Sequence, residues 1–258
     1  MYSSGGFYPH ELEQSLRFND DDSAYLSRTP ASAGNQRTWT WSCWFKRGSL
    51  GSYQNLLGTE YNTGGGNYGG YITIEDTDKL RVYSNLSGTV QTHITTNMVF
   101  RDVASFYHVI VVFNSTEASA ADRVKIYVNG SLVSYTTTTA PSLNVQGQLN
   151  DGERHDIGSL RANGSNIWFF DGYLSEVNFI DGQALDPTDF GEFKSGVWVA
   201  KQYTGTYGTN GFYLNFSDSS NIGDDLSGNG NDWTPSGLVA TDVMLDVPEN
   251  NFATWNPL

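Results

Sequence analysis

Residues 124–135 read Val-Lys-Ile-Tyr-Val-Asn-Gly-Ser-Leu-Val-Ser-Tyr, and this stretch decides the fold class. Apolar residues occupy alternate positions up to Val128, as on a pleated strand with one buried face. Asn129-Gly130 then separates this run from a second apolar run that begins at Leu132. Asn-Gly between two such runs is the strongest short-range signal of a β-hairpin, because both turn residues need positive φ. The stretch therefore predicts two antiparallel strands joined by a tight turn.

The same alternation recurs along the chain. Residues 39–46 alternate between a face that starts with Trp39 and a more polar face that starts with Thr40. Residues 106–113 are apolar at nearly every position, which is typical of a strand covered on both faces. Further predicted strands are residues 16–18, 71–75, 80–83, 90–94, 168–180 and 212–216. One short helix is predicted near residues 187–193, because Asp186 can cap free amides and Pro187 suits the first helical position.

Composition agrees with this pattern. Gly, Ser, Thr and Asn make up 99 of the 258 residues, whereas the helix formers Glu and Lys number nine and five. Such a chain is unsuited to a helical bundle or an α/β enzyme. Many short strands separated by turns predict an all-β fold, an antiparallel two-sheet jelly-roll sandwich. We expect an N-terminal arm over residues 1–14, the sandwich over 15–233 and an extended C-terminal tail over 234–258, where the periodicity fades.

The charge of the chain limits its partners. The formal net charge is −14, and residues 202–258 hold seven acidic residues and no Lys or Arg. Because a negative field repels phosphate backbones, we expect no direct binding of nucleic acid. The longest apolar run, residues 109–113, is too short for membrane insertion. The first residues lack the basic and apolar regions of a secretory signal, and the single Cys43 excludes an intrachain disulfide.

Four motifs in order resemble laminin-G-like domains of the concanavalin A type, a family of lectins and glucanases. The motifs are residues 15–20 with Tyr25-Leu26, residues 41–46, residues 106–113 with 124–130, and residues 157–159 with 170–177. The resemblance covers about residues 15–190 and implies the same sandwich fold. One element departs from the family order, because Asp-x-Ser-Gly-Asn-Gly-Asn at residues 225–231 follows the closing strand instead of lying near the start of the domain.

A narrower resemblance covers almost the whole chain. Residues 181–187, 225–233 and 251–254 are similar to segments of marine bacteriophage virion proteins that carry this domain. This resemblance implies a protein made in the host cytoplasm and then carried on the particle surface. It also implies capsid or tail proteins as partners and a homo-oligomer, with a trimer as the guess from how phage fibres are built.

The sequence argues against hydrolysis. Glucanases of this architecture carry Glu-x-Asp-x-x-Glu on one strand, which places the carboxylates on one face. The nearest cluster here, Glu75-Asp76-Thr77-Asp78, ends in a turn, and Glu176 stands alone. The four His residues show no metal-ligand spacing. We therefore expect a protein that is not an enzyme, in which His108 and Cys43 are core residues.

Calcium is the metal that the sequence predicts. Hard cations take six to eight oxygen ligands, and the loop at residues 224–232 is rich in them. The predicted ligands are Asp224, Asp225, Asn229, Asn231 and Asp232. The alternative is that Asp225, Ser227 and Asn229 close Asx-type turns in which Gly228 and Gly230 take positive φ.

Sugar binding needs exposed aromatic rings beside polar groups, because a ring face packs against sugar C–H bonds. Two Tyr-rich stretches have this composition. The candidate glycan-binding residues are Tyr61, Asn67, Tyr68, Tyr71, Tyr203 and Tyr207. The alternative is that these rings belong to the core or to a protein interface.

Three functional hypotheses follow. The first is a non-enzymatic phage virion protein, a head decoration, head fibre or tail fibre module, that docks through its terminal segments and displays a lectin-like sandwich. The second is a calcium-dependent glycan-binding module that recognises a host surface glycan. The third, an endo-glucanase-like depolymerase, lacks the carboxylate spacing that the reaction needs.

Overall fold

The computed structural model describes residues 7–62 and 68–251, which form an all-β fold and confirm the predicted class. Its strands in chain order are β1 (Ser15–Phe18), β2 (Tyr25–Arg28), β3 (Thr38–Arg47), β4 (Gln54–Thr59), β5 (Gly69–Ile74), β6 (Lys79–Leu86), β7 (Thr89–Val99), β8 (Tyr107–Asn114), β9 (Val124–Val128), β10 (Ser131–Leu132), β11 (Tyr135–Thr139), β12 (His155–Ile157), β13 (Leu160–Ala162), β14 (Ser165–Ile167), β15 (Gly172–Asp181), β16 (Gly191–Lys194), β17 (Val197–Ala200), β18 (Phe212–Leu214), β19 (Thr234–Ser236) and β20 (Val243–Met244). Short 3₁₀ helices span Ala120–Asp122, Pro187–Asp189 and Ala240–Asp242. No helix in this part of the chain has the length and apolar character needed to span a bilayer.

Two antiparallel eight-stranded sheets form the body of the domain. Sheet I has the order β10-β9-β8-β3-β15-β1-β20, with β18 also paired to β15. Sheet II has the order β11-β7-β6-β5-β4-β12-β2-β19. Two separate hairpins, β13–β14 and β16–β17, complete the described strands.

One apolar core joins the two sheets. Sheet I contributes Trp41 and Phe45, and sheet II contributes Ile72, Val82 and Ile94, all almost fully buried. These are alternate residues of their strands, so the intervening residues face outward from the sandwich. The fold therefore has two outer faces, one on each sheet, on which surface chemistry can be placed.

The predicted hairpin is confirmed. Val128 pairs with Ser131, and the two turn residues Asn129 and Gly130 have φ values of 47° and 76°. Gly130 is also required by packing, because a Cβ atom there would lie 2.3 Å from the Trp198 ring. The turn is thereby held against the outer face of sheet I.

The predicted helix near residues 187–193 is only three residues long. Pro187–Asp189 forms a single 3₁₀ turn, and residues 191–194 form β16. Asp186 and Asp189 form a capping box at this turn, in which the Asp189 carboxylate accepts the Asp186 backbone N–H at 3.1 Å, and Pro187 stands at the first helical position as predicted. The backbone of Gly191 lies close to Trp198, and a Cβ atom added there would lie 2.3 Å from the ring. This close packing favours the β16–β17 hairpin over a continued helix.

The C-terminal region differs from the predicted extended tail. β19 pairs with β2 at one edge of sheet II, and β20 pairs with β1 at one edge of sheet I. Between and after these strands, Asp242 and Asp246 are buried and form ion pairs with Arg17 and Lys46. Strands of two or three residues are too short to show a periodic pattern in the sequence. Residues 234–251 are held on the sandwich by strand pairing and by buried ion pairs, which hydrophobic periodicity does not reveal.

Candidate ligand-binding surface

A row of aromatic side chains crosses the outer face of sheet II. Tyr71 on β5 lies opposite Tyr83 on β6, which lies opposite His93 on β7. Their neighbours Ile72, Val82 and Ile94 point into the core, so the three rings share the outward face. The Tyr71 and Tyr83 rings stack at 4.9 Å, and the His93 ring meets Tyr83 edge-on at 5.7 Å.

Loops add three further rings to this row. Tyr61 meets Tyr71 edge-on at 6.2 Å, and Trp168 meets Tyr71 edge-on at 5.5 Å. Tyr53 stacks on Trp168 at 4.7 Å. We call the set of Tyr53, Tyr61, Tyr71, Tyr83, His93 and Trp168 the aromatic surface. Tyr71 is buried at its centre, whereas the other five rings are partly exposed, as a stacking platform for a ligand requires.

The β13–β14 hairpin positions part of the aromatic surface. It lies over sheet II at Gly58, where a Cβ atom would lie 2.7 Å from the Leu160 side chain. Tyr61 is bound to the hairpin through its backbone, which donates to Arg161 at 2.7 Å and accepts from Asn163 at 2.9 Å. Trp168, which follows the hairpin, has a φ of 53°. Positive φ in a bulky residue is strained and is often found where a side chain must be aimed at a ligand.

Arg81 supplies the charged group beside the rings. It projects from β6 on the same face as Tyr83, and its guanidinium lies 5.8 Å from the centre of the Tyr53 ring. It forms an ion pair with Glu75 and a hydrogen bond with Tyr71. Burial raises the pKa of Tyr71, so its hydroxyl stays protonated, while burial and the nearby Arg81 lower the pKa of His93. The surface is therefore nearly neutral near pH 7 and offers hydrogen-bonding groups beside exposed rings.

The structure brings together part of the predicted glycan set. Tyr61 and Tyr71 belong to the aromatic surface, and Tyr68 lies next to it, bridged to Asn62. Asn67 lies outside the described residues. Tyr53, Tyr83, His93, Trp168 and Arg81 were not predicted, because only strand register shows that distant residues of different strands lie side by side.

Tyr203 and Tyr207 lie elsewhere, on the outer face of sheet I. Tyr207 is buried, and its hydroxyl donates to Asn178 at 3.0 Å. Tyr203 stacks on Phe190 at 5.3 Å. Both rings therefore pack on sheet I, as the alternative interpretation predicts. They are separate from the aromatic surface.

In the predicted calcium loop, the oxygens of Asp225 accept hydrogen bonds from backbone N–H groups. Tyr213 and Ser227 donate to Oδ1 at 2.9 Å, and Asn231 donates to Oδ2 at 2.8 Å. Gly228 and Gly230 have φ values of 86° and 69°. Asp225 and Ser227 therefore close turns in this loop, as the alternative interpretation describes.

The other predicted calcium ligands also have protein partners. The Asp232 carboxylate accepts the Asp225 N–H at 3.0 Å, and Asp224 accepts from Asn221 at 3.0 Å. The amides of Asn229 and Asn231 both donate to the Gly211 carbonyl. Within residues 7–62 and 68–251, no three His, Cys, Asp or Glu side chains cluster as metal ligands. Calcium stays a prediction of the sequence.

His108 is the satisfied core histidine that the sequence predicts. Trp198 donates its indole N–H to Nδ1 at 2.8 Å, and Nε2 lies 2.8 Å from the Ser42 hydroxyl. The ring stacks on Trp44 at 4.6 Å, and burial lowers its pKa to about 3. Cys43 is likewise buried, and burial raises the pKa of its thiol. Neither residue is placed for surface chemistry.

Antiparallel two-sheet sandwiches of this kind are found in lectin domains. Residues 19–189 match the family model of the concanavalin A-like lectin/glucanase superfamily, and the chain belongs to this family. No curated protein matches the chain in sequence.

Solved structures are similar to this chain at low sequence identity. A putative carbohydrate binding protein from Bacteroides ovatus is 16% identical with a TM-score of 0.60, and the match covers 90% of this chain and 60% of that one. A heptameric SAP-like pentraxin from Limulus polyphemus is 16% identical with a TM-score of 0.46, covering 67% of this chain and 78% of that one. Domains LG4-5 of the mouse laminin α1 chain are 11% identical with a TM-score of 0.47, covering 71% and 46%.

Proposed function

We propose that this protein is a non-catalytic glycan-binding module and that the aromatic surface is its binding site. The observation that carries the proposal is the row of partly exposed rings around Tyr83 and Trp168, with Arg81 fixed beside them. Sugars bind to such surfaces because ring faces pack on C–H bonds while neighbouring polar groups take the hydroxyls. The fold is shared with a putative carbohydrate binding protein, but the residues of this chain support the proposal.

The site fits an uncharged or weakly charged sugar. Arg81 is paired with Glu75, and Arg161 is paired with Glu60 at 3.6 Å beside Tyr61. These pairs leave the surface locally balanced in a chain whose net charge is −14. A strongly anionic ligand would be disfavoured by the overall charge of the protein.

Retention on immobilised neutral polysaccharides and a glycan array tests the proposal. Tyr83→Ala and Tyr53→Ala each remove a partly exposed ring, and we expect at least about a tenfold loss of affinity, which corresponds to about 1.4 kcal/mol. Tyr203→Ala is the matched control, because it removes a tyrosine ring on the other sheet. Equal affinity of all four proteins would refute the proposal. Repeating the assay with a chelator tests the predicted calcium, and measuring reducing ends tests the proposed lack of catalysis.

The setting we propose is a bacteriophage virion, as the sequence resemblance implies, with the module presented to a host surface glycan. Capsid or tail proteins would be its partners, and multiple copies, such as a trimer, would strengthen weak sugar contacts through avidity. Residues 7–14 and 234–251 pack on the chain's own sheets, so docking would use other surfaces or the residues outside the described ranges. Tracing the protein in a reconstruction of purified particles tests this setting, and its absence from particles would refute it.

A further inference from the structure

The N-terminal segment, which we define as residues 7–14, lies on the outer face of sheet I without forming a strand. Leu12 is its buried anchor and packs in a cluster with Trp44, Phe106, Trp198 and Val247. Because Leu12 is the buried apolar residue of the segment, the stability of the docked segment depends strongly on the polar contacts that the segment makes.

A β-bulge in β15 provides two of these contacts. The register between β15 and β3 shifts between Ser175 and Asn178, and Glu176 has a φ of 52°. A bulge turns a side chain away from its regular direction, and here two consecutive residues meet the segment. The Ser175 hydroxyl donates to the Gln14 carbonyl at 2.9 Å, and a Glu176 carboxylate oxygen lies 3.0 Å from Nε2 of His10.

Glu249 also contacts the segment. Its Oε2 accepts the Leu12 backbone N–H at 3.3 Å, while its Oε1 is buried without a hydrogen-bond partner among the described residues. His10 and Glu249 also act on each other electrostatically. Around them, the Tyr213 hydroxyl donates to Glu176 at 2.8 Å, and Glu11 and Glu176 both add negative charge near Glu249.

We propose that His10, Glu176 and Glu249 form a pH-sensitive latch that holds the N-terminal segment on sheet I at mildly acidic pH and releases it as the pH rises. A protonated imidazole facing a carboxylate is held by an ion pair, which is lost when the imidazole is neutral. A protonated Glu249 brings no charge into its partly buried position, whereas its ionised form adds a charge to a site that already has two other carboxylates nearby.

Both groups shift in the direction that this latch needs. The hydrogen bond to Glu176 raises the pKa of His10 above 6.5 despite its burial, and burial raises the pKa of Glu249 to about 7. A group whose docked pKa is raised stabilises the docked form below its free pKa, and that stabilisation is lost as the pH passes the docked pKa. Docking therefore begins to weaken at about pH 4.5, where a free Glu ionises, because Glu249 loses its proton more easily when the segment is released. It continues to weaken until the pH exceeds the raised pKa of His10.

Release of the segment would change an apolar groove on sheet I. Trp44, Phe106 and Trp198, which surround Leu12, also line an open groove of about 460 Å³ on sheet I. The groove is rimmed by the exposed side chains of Phe193 and Val197. Undocking Leu12 would extend this apolar groove along the sheet, so the latch controls how much apolar surface sheet I presents.

Site-directed spin labelling of the full chain tests the latch. Pro9→Cys places a label on the exposed part of the segment, and the buried Cys43 stays unlabelled. We expect an immobilised spectrum at pH 5 and a mobile component that grows reversibly up to about pH 8. The ratio of docked to free segment should fall about tenfold per pH unit for each proton lost. A spectrum that is unchanged across this range would overturn the proposal.

Three variants that replace a titratable group by a neutral amide separate the groups in the labelled protein. Glu249→Gln should remove the pH dependence between about pH 4.5 and 6.5, because the side chain is then always neutral and His10 stays charged over this range. Glu176→Gln should lower the pKa of His10, followed by the NMR shift of its imidazole, because the hydrogen bond and the charge of Glu176 are then lost and only Glu249 still opposes the effect of burial. His10→Gln should leave the label mobile at neutral pH, whereas the control Glu117→Gln, at an exposed residue outside both sites, should leave the pH dependence of the label unchanged. A pKa of His10 that is unaffected by Glu176→Gln would also overturn the proposal.

Discussion

Replacing Asp246 with alanine removes the anion that faces a fully buried lysine. The side chain of Lys46 is 0% exposed and that of Asp246 is 4% exposed. The ammonium group also lies 5.2 Å from the Phe106 ring and 5.0 Å from the Tyr173 ring, and it donates to Asn251 at 3.0 Å. Rings and an amide stabilise a cation only in part, so a charge buried in this way depends on its carboxylate.

The expected cost is large because the lysine cannot reach water. Removing one partner of a buried ion pair costs about 3–5 kcal/mol, since the remaining charge is left uncompensated. For a chain of this length, that corresponds to a fall in Tm of roughly 10 °C, at about 2–4 °C per kcal/mol. Lys46→Met combined with Asp246→Leu removes both charges, and we expect it to be within about 1 kcal/mol of the original protein.

Urea unfolding followed by tryptophan fluorescence measures these free energies. The matched control is Lys125→Met, which breaks the exposed contact between Lys125 and Asp122 at 3.9 Å and should change stability by less than about 0.5 kcal/mol. If Asp246→Ala costs as little as this control, residues 245–247 do not belong to the cooperative fold. That result would favour the extended tail predicted from the sequence over the packed segment.

Three further measurements test the core. His108 is neutral in the folded protein, with a pKa of about 3, whereas in the unfolded chain it takes up a proton below about pH 6.5. The free energy of unfolding should therefore fall between pH 6.5 and 4.5 by about 2 kcal/mol more in the original protein than in His108→Gln. Gly196→Ala meets only backbone strain at a φ of 83° with open space around it, whereas Gly130→Ala also places a methyl group 2.3 Å from Trp198. We expect Gly130→Ala to cost about 1–3 kcal/mol more than Gly196→Ala in urea unfolding, and equal costs would contradict the packing at this turn. Burial raises the pKa of Cys43, so a thiol reagent should modify it only as fast as the protein unfolds, and rapid modification of the folded protein would contradict its burial.

The fold class follows from the sequence because its signals are local. Period-two alternation around Trp41 and the Asn129-Gly130 turn are each contained in a few consecutive residues, and both are present in the structure. Elements without a local pattern could not be predicted in the same way. β20 is two residues long and exists because β1 offers it an edge, and the helix near residues 187–193 ends early because the Trp198 ring occupies the space beside Gly191.

The candidate site was harder to predict than the fold. The sequence indicates Tyr61 and Tyr71 from composition, but Tyr83 becomes part of the same surface only through the register of β5 on β6. Trp168 reaches it through an unusual backbone conformation that no propensity encodes. Composition also groups Tyr203 with the same set, although the structure places it on the opposite sheet. Residue type thus indicates candidate residues for a site, while strand register determines which of them lie side by side.

The acidic C-terminal region shows the same limit for charge. Counting residues predicts a strong negative field over positions 202–258, yet Asp225, Asp242 and Asp246 are buried. Asp242 and Asp246 form ion pairs with Arg17 and Lys46, and the Asp225 carboxylate is enclosed by backbone N–H groups. Buried and paired carboxylates contribute little to the potential that a partner meets at the surface. These three carboxylates therefore stabilise the packing of the C-terminal region on the sandwich. The surface available to a partner is less acidic than the sequence alone implies.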